Sequence, residues 1–135
     1  MKQVMFVCQK NSRRSQMAEG LARHLGQGKI IVASAGLEAS QIDPLAVQAM
    51  AEVGIDITRQ TSKPLSQFNP QDYSAVISLC GCGVNLPKEW VLRDVFEDWQ
   101  VDDPEGQPLE VFYRVRDEIK ERVTHLVRTL EPTKV

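Results

Sequence analysis

Cys8 and Arg14 stand five residues apart in the stretch Cys8-Gln9-Lys10-Asn11-Ser12-Arg13-Arg14-Ser15. A loop of this kind leading into a helix offers consecutive backbone N–H groups, the positive end of a helix dipole and a guanidinium fork. Together these make a concave anion site. A tetrahedral oxyanion fits it, lined by Gln9, Lys10, Asn11, Ser12, Arg13, Arg14 and Ser15. At the mouth of such a positive pocket a cysteine favours the thiolate over the thiol, which makes Cys8 the candidate nucleophile at neutral pH. Ser15 is placed to donate a hydrogen bond to that sulfur, and Asn11 to brace the loop through side-chain bonds to backbone. The spacing alone is common in proteins. Its setting between a strand and a helix is what gives it weight.

The other two cysteines, Cys80 and Cys82, are separated by Gly81 and followed by Gly83. An odd number of cysteines, in a chain long enough to build a core unaided, argues against a disulfide framework of the secreted kind. They read as thiols, either reactive or simply small and buried. A metal pair is disfavoured, because the chain has no further cysteine and its two histidines, His24 and His125, fall on predicted helices away from this segment. Two residues of strand advance about 6.6 Å, the long end of the range a disulfide tolerates, and Gly81 and Gly83 permit the bend that would close it.

The elements that must position these residues follow from the apolar periodicity. Residues 2–7 read as a strand, and after the polar loop Met17, Leu21 and Leu25 recur at helical spacing up to Gly26. Residues 29–34 make a second strand. Asp43 and Pro44 then read as the N-cap and first position of a helix with Leu45, Val47, Met50 and Val53 on its apolar face. Residues 58–71 form a loop with room for a short helical turn. Residues 73–79 are the best buried strand and run straight into Cys80, and residues 91–96 read as a fourth strand. After a loop over 98–107, an amphipathic helix from Pro108 turns Phe112, Val115, Ile119, Val123, Leu126 and Leu130 inward, with Glu118 and Arg122 paired on its wet face. Alternating strands and helices predict an α/β protein: a three-layer αβα arrangement with a four-stranded parallel sheet and helices on both faces. Ligands of such sheets bind beyond the carboxyl ends of the strands, so Cys8 and Cys80 are expected to be neighbours in space.

At 135 residues, 42% hydrophobic and 25% charged, the chain reads as one globular domain over 1–135. A net charge of −2 provides no global field for nucleic acid or an anionic membrane, so any anion must be held locally. With no apolar run near the length of a membrane span and no opening signal peptide, the protein is expected to be cytosolic.

The segment from Val7 to Gly20 resembles the signature loop of low-molecular-weight tyrosine phosphatases and of the arsenate reductases built on the same fold. The resemblance continues through Ser34-Ala-Gly36, Asp43-Pro44, Thr61-Ser62, the strand ending at Cys80, and Asp102-Asp-Pro104. It implies Cys8 as nucleophile, Arg14 as oxyanion clamp and Asp103 as general acid for the leaving oxygen. Read from its residues alone, Asp103-Pro104 is an ordinary turn, with Asp102 a negative neighbour that favours a protonated Asp103. The resemblance further implies a thiol relay: Cys8 attacks arsenate, Cys80 attacks the Cys8 adduct, and Cys82 takes over the oxidation as a reducible disulfide. A Cys-Gly-Cys arrangement resembles the cyanobacterial type, which draws electrons from glutathione and glutaredoxin, with thioredoxin as the alternative donor. No tightly bound cofactor and no metal are implied; arsenate is the substrate, phosphate and sulfate compete, and a monomer is expected. Two readings stay beside it: a protein tyrosine phosphatase whose Cys80 and Cys82 protect Cys8, and a redox-sensing oxyanion-binding module without turnover.

Three departures qualify the resemblance. Glu105 follows Pro104 where phosphatases carry an aromatic residue against the substrate's ring. Lys10 stands where relatives usually have glycine, adding positive charge to the loop. Thioredoxin-coupled relatives hold a potassium ion with an aspartate two residues after the position of Thr61; here Lys63 stands there, and its ammonium is expected in the ion's place near Asn11, Glu19 and Ser34.

Overall fold

The computed structural model describes residues 2–80 and 86–130. The chain runs β1 (Lys2–Cys8), α1 (Arg14–Leu25), β2 (Ile30–Gly36), α2 (Pro44–Glu52), two 3-10 turns (Leu65–Gln67 and Pro70–Asp72), β3 (Ala75–Ser78), α3 (Lys88–Val91), β4 (Val95–Asp98) and α4 (Leu109–Leu130). The four strands are parallel in the order β2-β1-β3-β4. This is the expected α/β architecture, with β1 central and the strand order reversing beside it. That reversal is where a parallel sheet opens a crevice.

β1 is buried on both faces, as a central parallel strand must be. Its alternation deals Val4 and Phe6 to one core and Met5 and Val7 to the other. The first core is the larger and is closed by α1, α2 and α4, whose Phe112, Val115, Ile119, Val123 and Leu126 point inward as expected. The second is thinner. Leu65, Tyr73, Leu86 and Trp90 cover the sheet from the 3-10 turns and α3, and Tyr73 lies 5.6 Å from Trp90 between ring centroids.

Asp43 caps α2 as expected, accepting from the Leu45 N–H at 2.9 Å with Pro44 at the first position. The fourth strand differs from expectation. The apolar run at Trp90 to Leu92 is not strand: Pro87 sets up α3, which buries Trp90 and leaves Leu92 66% exposed, and β4 begins at Val95. Val53 also lies outside the core, at the C-cap of α2. Among the described residues no helix is long and apolar enough to cross a membrane.

Candidate active site

The signature loop is built by the backbone it turns outward. From Cys8 to Ser12 every carbonyl is taken by a flanking element: Cys8 by the Leu37 N–H, Gln9 by the Glu38 N–H, Lys10 by the Ser62 hydroxyl, Asn11 by Gln16 Nε2 and Ser12 by the Asp43 N–H, at 2.9 to 3.2 Å. Arg13 O accepts the first bond of α1, from the Met17 N–H at 3.0 Å. With the carbonyls committed outward, the N–H face is left for the concave side. The start of α1 adds to it, since no side chain caps the helix and no acid sits in its first turn. Asn11 makes the tight turn with φ of 52°, a left-handed conformation that asparagine tolerates better than most residues.

Cys8, the last residue of β1, is a free, buried thiol. Its Sγ lies 2.8 Å from Ser15 Oγ, the contact the sequence leads one to expect. Asn11 does more than brace backbone: Nδ2 donates to Ser15 Oγ at 2.7 Å and Ser34 Oγ at 2.9 Å, while Oδ1 accepts from the Lys63 N–H at 2.9 Å. β2 packs against the back of the loop through Gly36, where a Cβ would meet Asn11 N and Lys10 C at 2.8 Å. Only glycine permits that approach.

Cys8, Gln9, Lys10, Ser12, Arg13 and Arg14 line a small cleft of about 90 Å³ together with Asp103 and Glu105. Arg14 is aimed by backbone: Nη1 donates to Leu79 O and Val101 O, both at 3.0 Å, and Nη2 faces Asp103 Oδ2 at 3.6 Å. Arg13, which the sequence placed only in the lining, pairs with three carboxylates. These are Asp103 at 3.0 Å, Asp43 at 3.3 Å and Glu105 at 3.5 Å. Burial works against its charge, but these carboxylates outweigh it and hold its ionisation above the ordinary guanidinium value. Glu105 also faces Lys10 Nζ at 3.8 Å, so an ion pair stands at the cleft where an aromatic platform would be. Asp103 therefore does reach the site, between two guanidinium groups. Asp102 pairs with Arg114 at 3.3 Å.

Cys80 follows β3. The register sets Val7 beside Ser78, and the Leu79 N–H donates to Val7 O at 2.8 Å, so Cys80 leaves the sheet next to the end of β1 that carries Cys8. Cys80 is half-buried and disulfide-bonded. Cys82 lies outside the described residues.

The expected place of Lys63 is not observed. Its Nζ donates to Thr61 O at 2.6 Å, and the cation at buried Glu19 is Arg23, one helical turn on, at 2.7 Å. Glu19 Oε1 accepts from Ser34 Oγ at 2.6 Å. These donors satisfy one another, and the set does not fit a bound cation. A signal for this pair was available in the i,i+4 spacing of Glu19 and Arg23 on α1.

The chain is 63% identical over 127 residues to the glutaredoxin arsenate reductase of Synechocystis sp., spanning 94% of this chain and 97% of that one. To the arsenate reductase of Staphylococcus aureus strain Newman it is 42% identical over 120 residues, spanning 88% and 91%. A solved structure of an arsenate reductase in the phosphate-binding state is similar with a TM-score of 0.93 and 61% identity, over 97% of this chain and 100% of that one. Residues 3–135 match the low molecular weight phosphotyrosine protein phosphatase family, and the protein belongs to that family.

Proposed function

We propose that this protein is an arsenate reductase working through Cys8, Cys80 and Cys82, with electrons from glutathione by way of glutaredoxin. The observation that carries the reading is the free Cys8 thiol in a cleft whose loop turns its carbonyls away, beside an oxidised cysteine on the neighbouring strand end. The relatives named above support the substrate and the electron donor. On this reading the loop amides, those of Asn11 and Ser15 included, and Arg14 hold the arsenate oxygens, and Gln9, Lys10, Ser12 and Arg13 complete the lining of the cleft.

The Cys8 thiolate forms a sulfur–arsenic bond as one arsenate oxygen leaves as water, its proton supplied by Asp103. The Cys80 thiolate then attacks Cys8 Sγ. The sulfur–sulfur bond forms, the sulfur–arsenic pair stays on arsenic, and arsenite departs with arsenic reduced by two electrons. Cys82 attacks Cys80, freeing Cys8 as thiolate, and two glutathione thiols restore the pair through glutaredoxin. The protein acts in the cytoplasm as a monomer of one domain over 1–135, without a tightly bound cofactor.

The test is NADPH consumption with arsenate in the presence of glutathione, glutathione reductase and glutaredoxin, beside hydrolysis of p-nitrophenyl phosphate. Cys82→Ser is expected to abolish arsenate-dependent NADPH consumption and spare any hydrolysis, and Cys8→Ser to abolish both. Mass spectrometry after one turnover should find a Cys80 to Cys82 bridge or a glutathione adduct on one of them. Hydrolysis without arsenate-dependent NADPH consumption in the parent protein would leave a phosphatase instead, and neither activity would leave a binding module.

A further inference from the structure

Behind the signature loop, on the side away from the cleft, six side chains close a hydrogen-bonded ring. Arg23 Nη2 donates to Glu19 Oε2 at 2.7 Å, and Ser34 Oγ donates to Glu19 Oε1 at 2.6 Å. Asn11 Nδ2 donates to Ser34 Oγ at 2.9 Å. On the other limb Arg23 Nη1 donates to Gln60 Oε1 at 3.0 Å, Gln60 Nε2 to Gln16 Oε1 at 2.7 Å, and Gln16 Nε2 to Asn11 Oδ1 at 2.9 Å. Asn11, Ser34 and Gln16 are fully buried and Glu19 nearly so, whereas the Arg23 side chain is 54% exposed.

A guanidinium can only donate hydrogen bonds, whereas amides and hydroxyls do both. A donor-only cation at Arg23 matches the direction of every bond in the ring, and backbone groups set the same sense: Thr61 O accepts from Gln16 Nε2, Gln16 O accepts from Gln60 Nε2, and the Lys63 N–H donates to Asn11 Oδ1. Gln60 turns its oxygen to Arg23 and its nitrogen to Gln16, which presents its own nitrogen to Asn11; to the backbone contacts Arg23 adds the charge paired with buried Glu19 at 2.7 Å. On the opposite limb the Ser34 hydroxyl donates to Glu19 Oε1, which leaves Ser34 Oγ to accept from Asn11. Both limbs demand the same orientation of the Asn11 amide. Its second N–H goes to Ser15 Oγ, whose one hydroxyl proton is then left for Cys8 Sγ.

We infer that Arg23 is a positioning residue for the nucleophile, acting from the surface through Glu19, Gln60, Gln16, Ser34 and Asn11 to keep the Ser15 hydroxyl donating to Cys8. The inference rests on Cys8 being the nucleophile, but not on arsenate being the substrate. Charged groups that face Cys8 across the cleft are Lys10, Arg13 and Arg14 from its own loop and start of α1, and Asp103 and Glu105 from the loop before α4. None belongs to the ring, so changing Arg23 leaves them in place.

The experiment is the pH profile of Cys8 alkylation by iodoacetamide, followed by peptide mass mapping in the full-length protein, for the parent, Arg23→Met, Arg23→Lys and Gln60→Met. For Arg23→Met the profile is expected to move to higher pH, with the rate at pH 6.5 lowered roughly three- to tenfold and the plateau at high pH unchanged, as loss of one polarised hydrogen bond to a thiolate implies. Arg23→Lys, which keeps a donor-only cation beside Glu19, should recover part of the shift, and Gln60→Met should move the profile in the same direction. A profile for Arg23→Met that superimposes on the parent, or a plateau that falls as far as the low-pH rate, overturns the inference. An unmoved Gln60→Met profile overturns the amide limb. Absence of Cys8 alkylation in the parent at pH 6.5 instead overturns the reading of Cys8 as nucleophile.

Discussion

At Arg14 one guanidinium nitrogen serves two backbone carbonyls, Leu79 O and Val101 O, so the plane of the fork is set before any ligand arrives. Lysine has neither the plane nor the second edge. Arg14→Lys is expected to weaken phosphate binding at least about tenfold, roughly 1.4 kcal/mol, read as loss of phosphate protection of Cys8 against alkylation. A second residue-scale prediction concerns the turn that leads into Gln60. There Asp56 accepts from the Thr58 hydroxyl at 2.6 Å and the Thr58 N–H at 2.8 Å, and these bonds hold its carboxyl below the ordinary value. Since the folded value is the depressed one, this contribution to stability is present above the unfolded carboxyl's range and is lost as pH falls through the folded one. An NMR titration of the Asp56 carboxyl should give a midpoint below that of an ordinary aspartate, and Thr58→Val should raise it. At this scale the reactive residues were the legible ones. Cys8, Arg14 and Ser15 sit within one loop, and local spacing states their relation. Arg13 was not legible as a threefold partner, because Asp43 and Asp103 reach it from distant parts of the chain.

Between elements, the contact of β2 with the signature loop depends on one missing side chain. Gly36→Ala would set a Cβ 2.4 Å from Glu38 O and 2.8 Å from two backbone atoms of the loop, none of which can swing aside. The expected result is a lowered melting temperature, of the order of 1–3 kcal/mol in stability, with phosphate protection of Cys8 lost as well. A purely stabilising effect would reject the packing argument. Arg116 ties α4 to α2, donating to Ala49 O at 2.8 Å and pairing with Glu52 at 2.7 Å and Asp117 at 2.8 Å. Arg116→Met should cost about 1–3 kcal/mol by denaturant melting, chiefly for the buried carbonyl left without a donor. The long elements were readable because period and burial agree, as in α4. The short ones were not: four residues of α3 and four of β4 carry too little periodicity to separate helix from strand, and Pro87 decided the matter.

Over the whole molecule, the sheet order β2-β1-β3-β4 turns sequence distance into proximity, setting the chain beyond β1 beside the chain beyond β3. That much followed from alternating strands and helices and the handedness of their crossovers. The counter-charge at Glu19 did not, since Lys63 was the more suggestive residue by resemblance and Arg23 the nearer by geometry. With Arg23 seated there, arsenate turnover is expected to be equal in potassium and sodium buffers of the same ionic strength. A marked acceleration by potassium would show that the Arg23 to Glu19 pair opens to admit an ion. The outward commitment of the loop carbonyls has a wider consequence. A cradle finished before its guest arrives measures oxygens and charge and is blind to the central atom they surround. Inorganic phosphate should therefore occupy it with an affinity within roughly a few-fold of arsenate's, since a rigid site cannot strongly reject an isostere. Selection between the two falls to the step after capture, where arsenic accepts an electron pair and phosphorus does not.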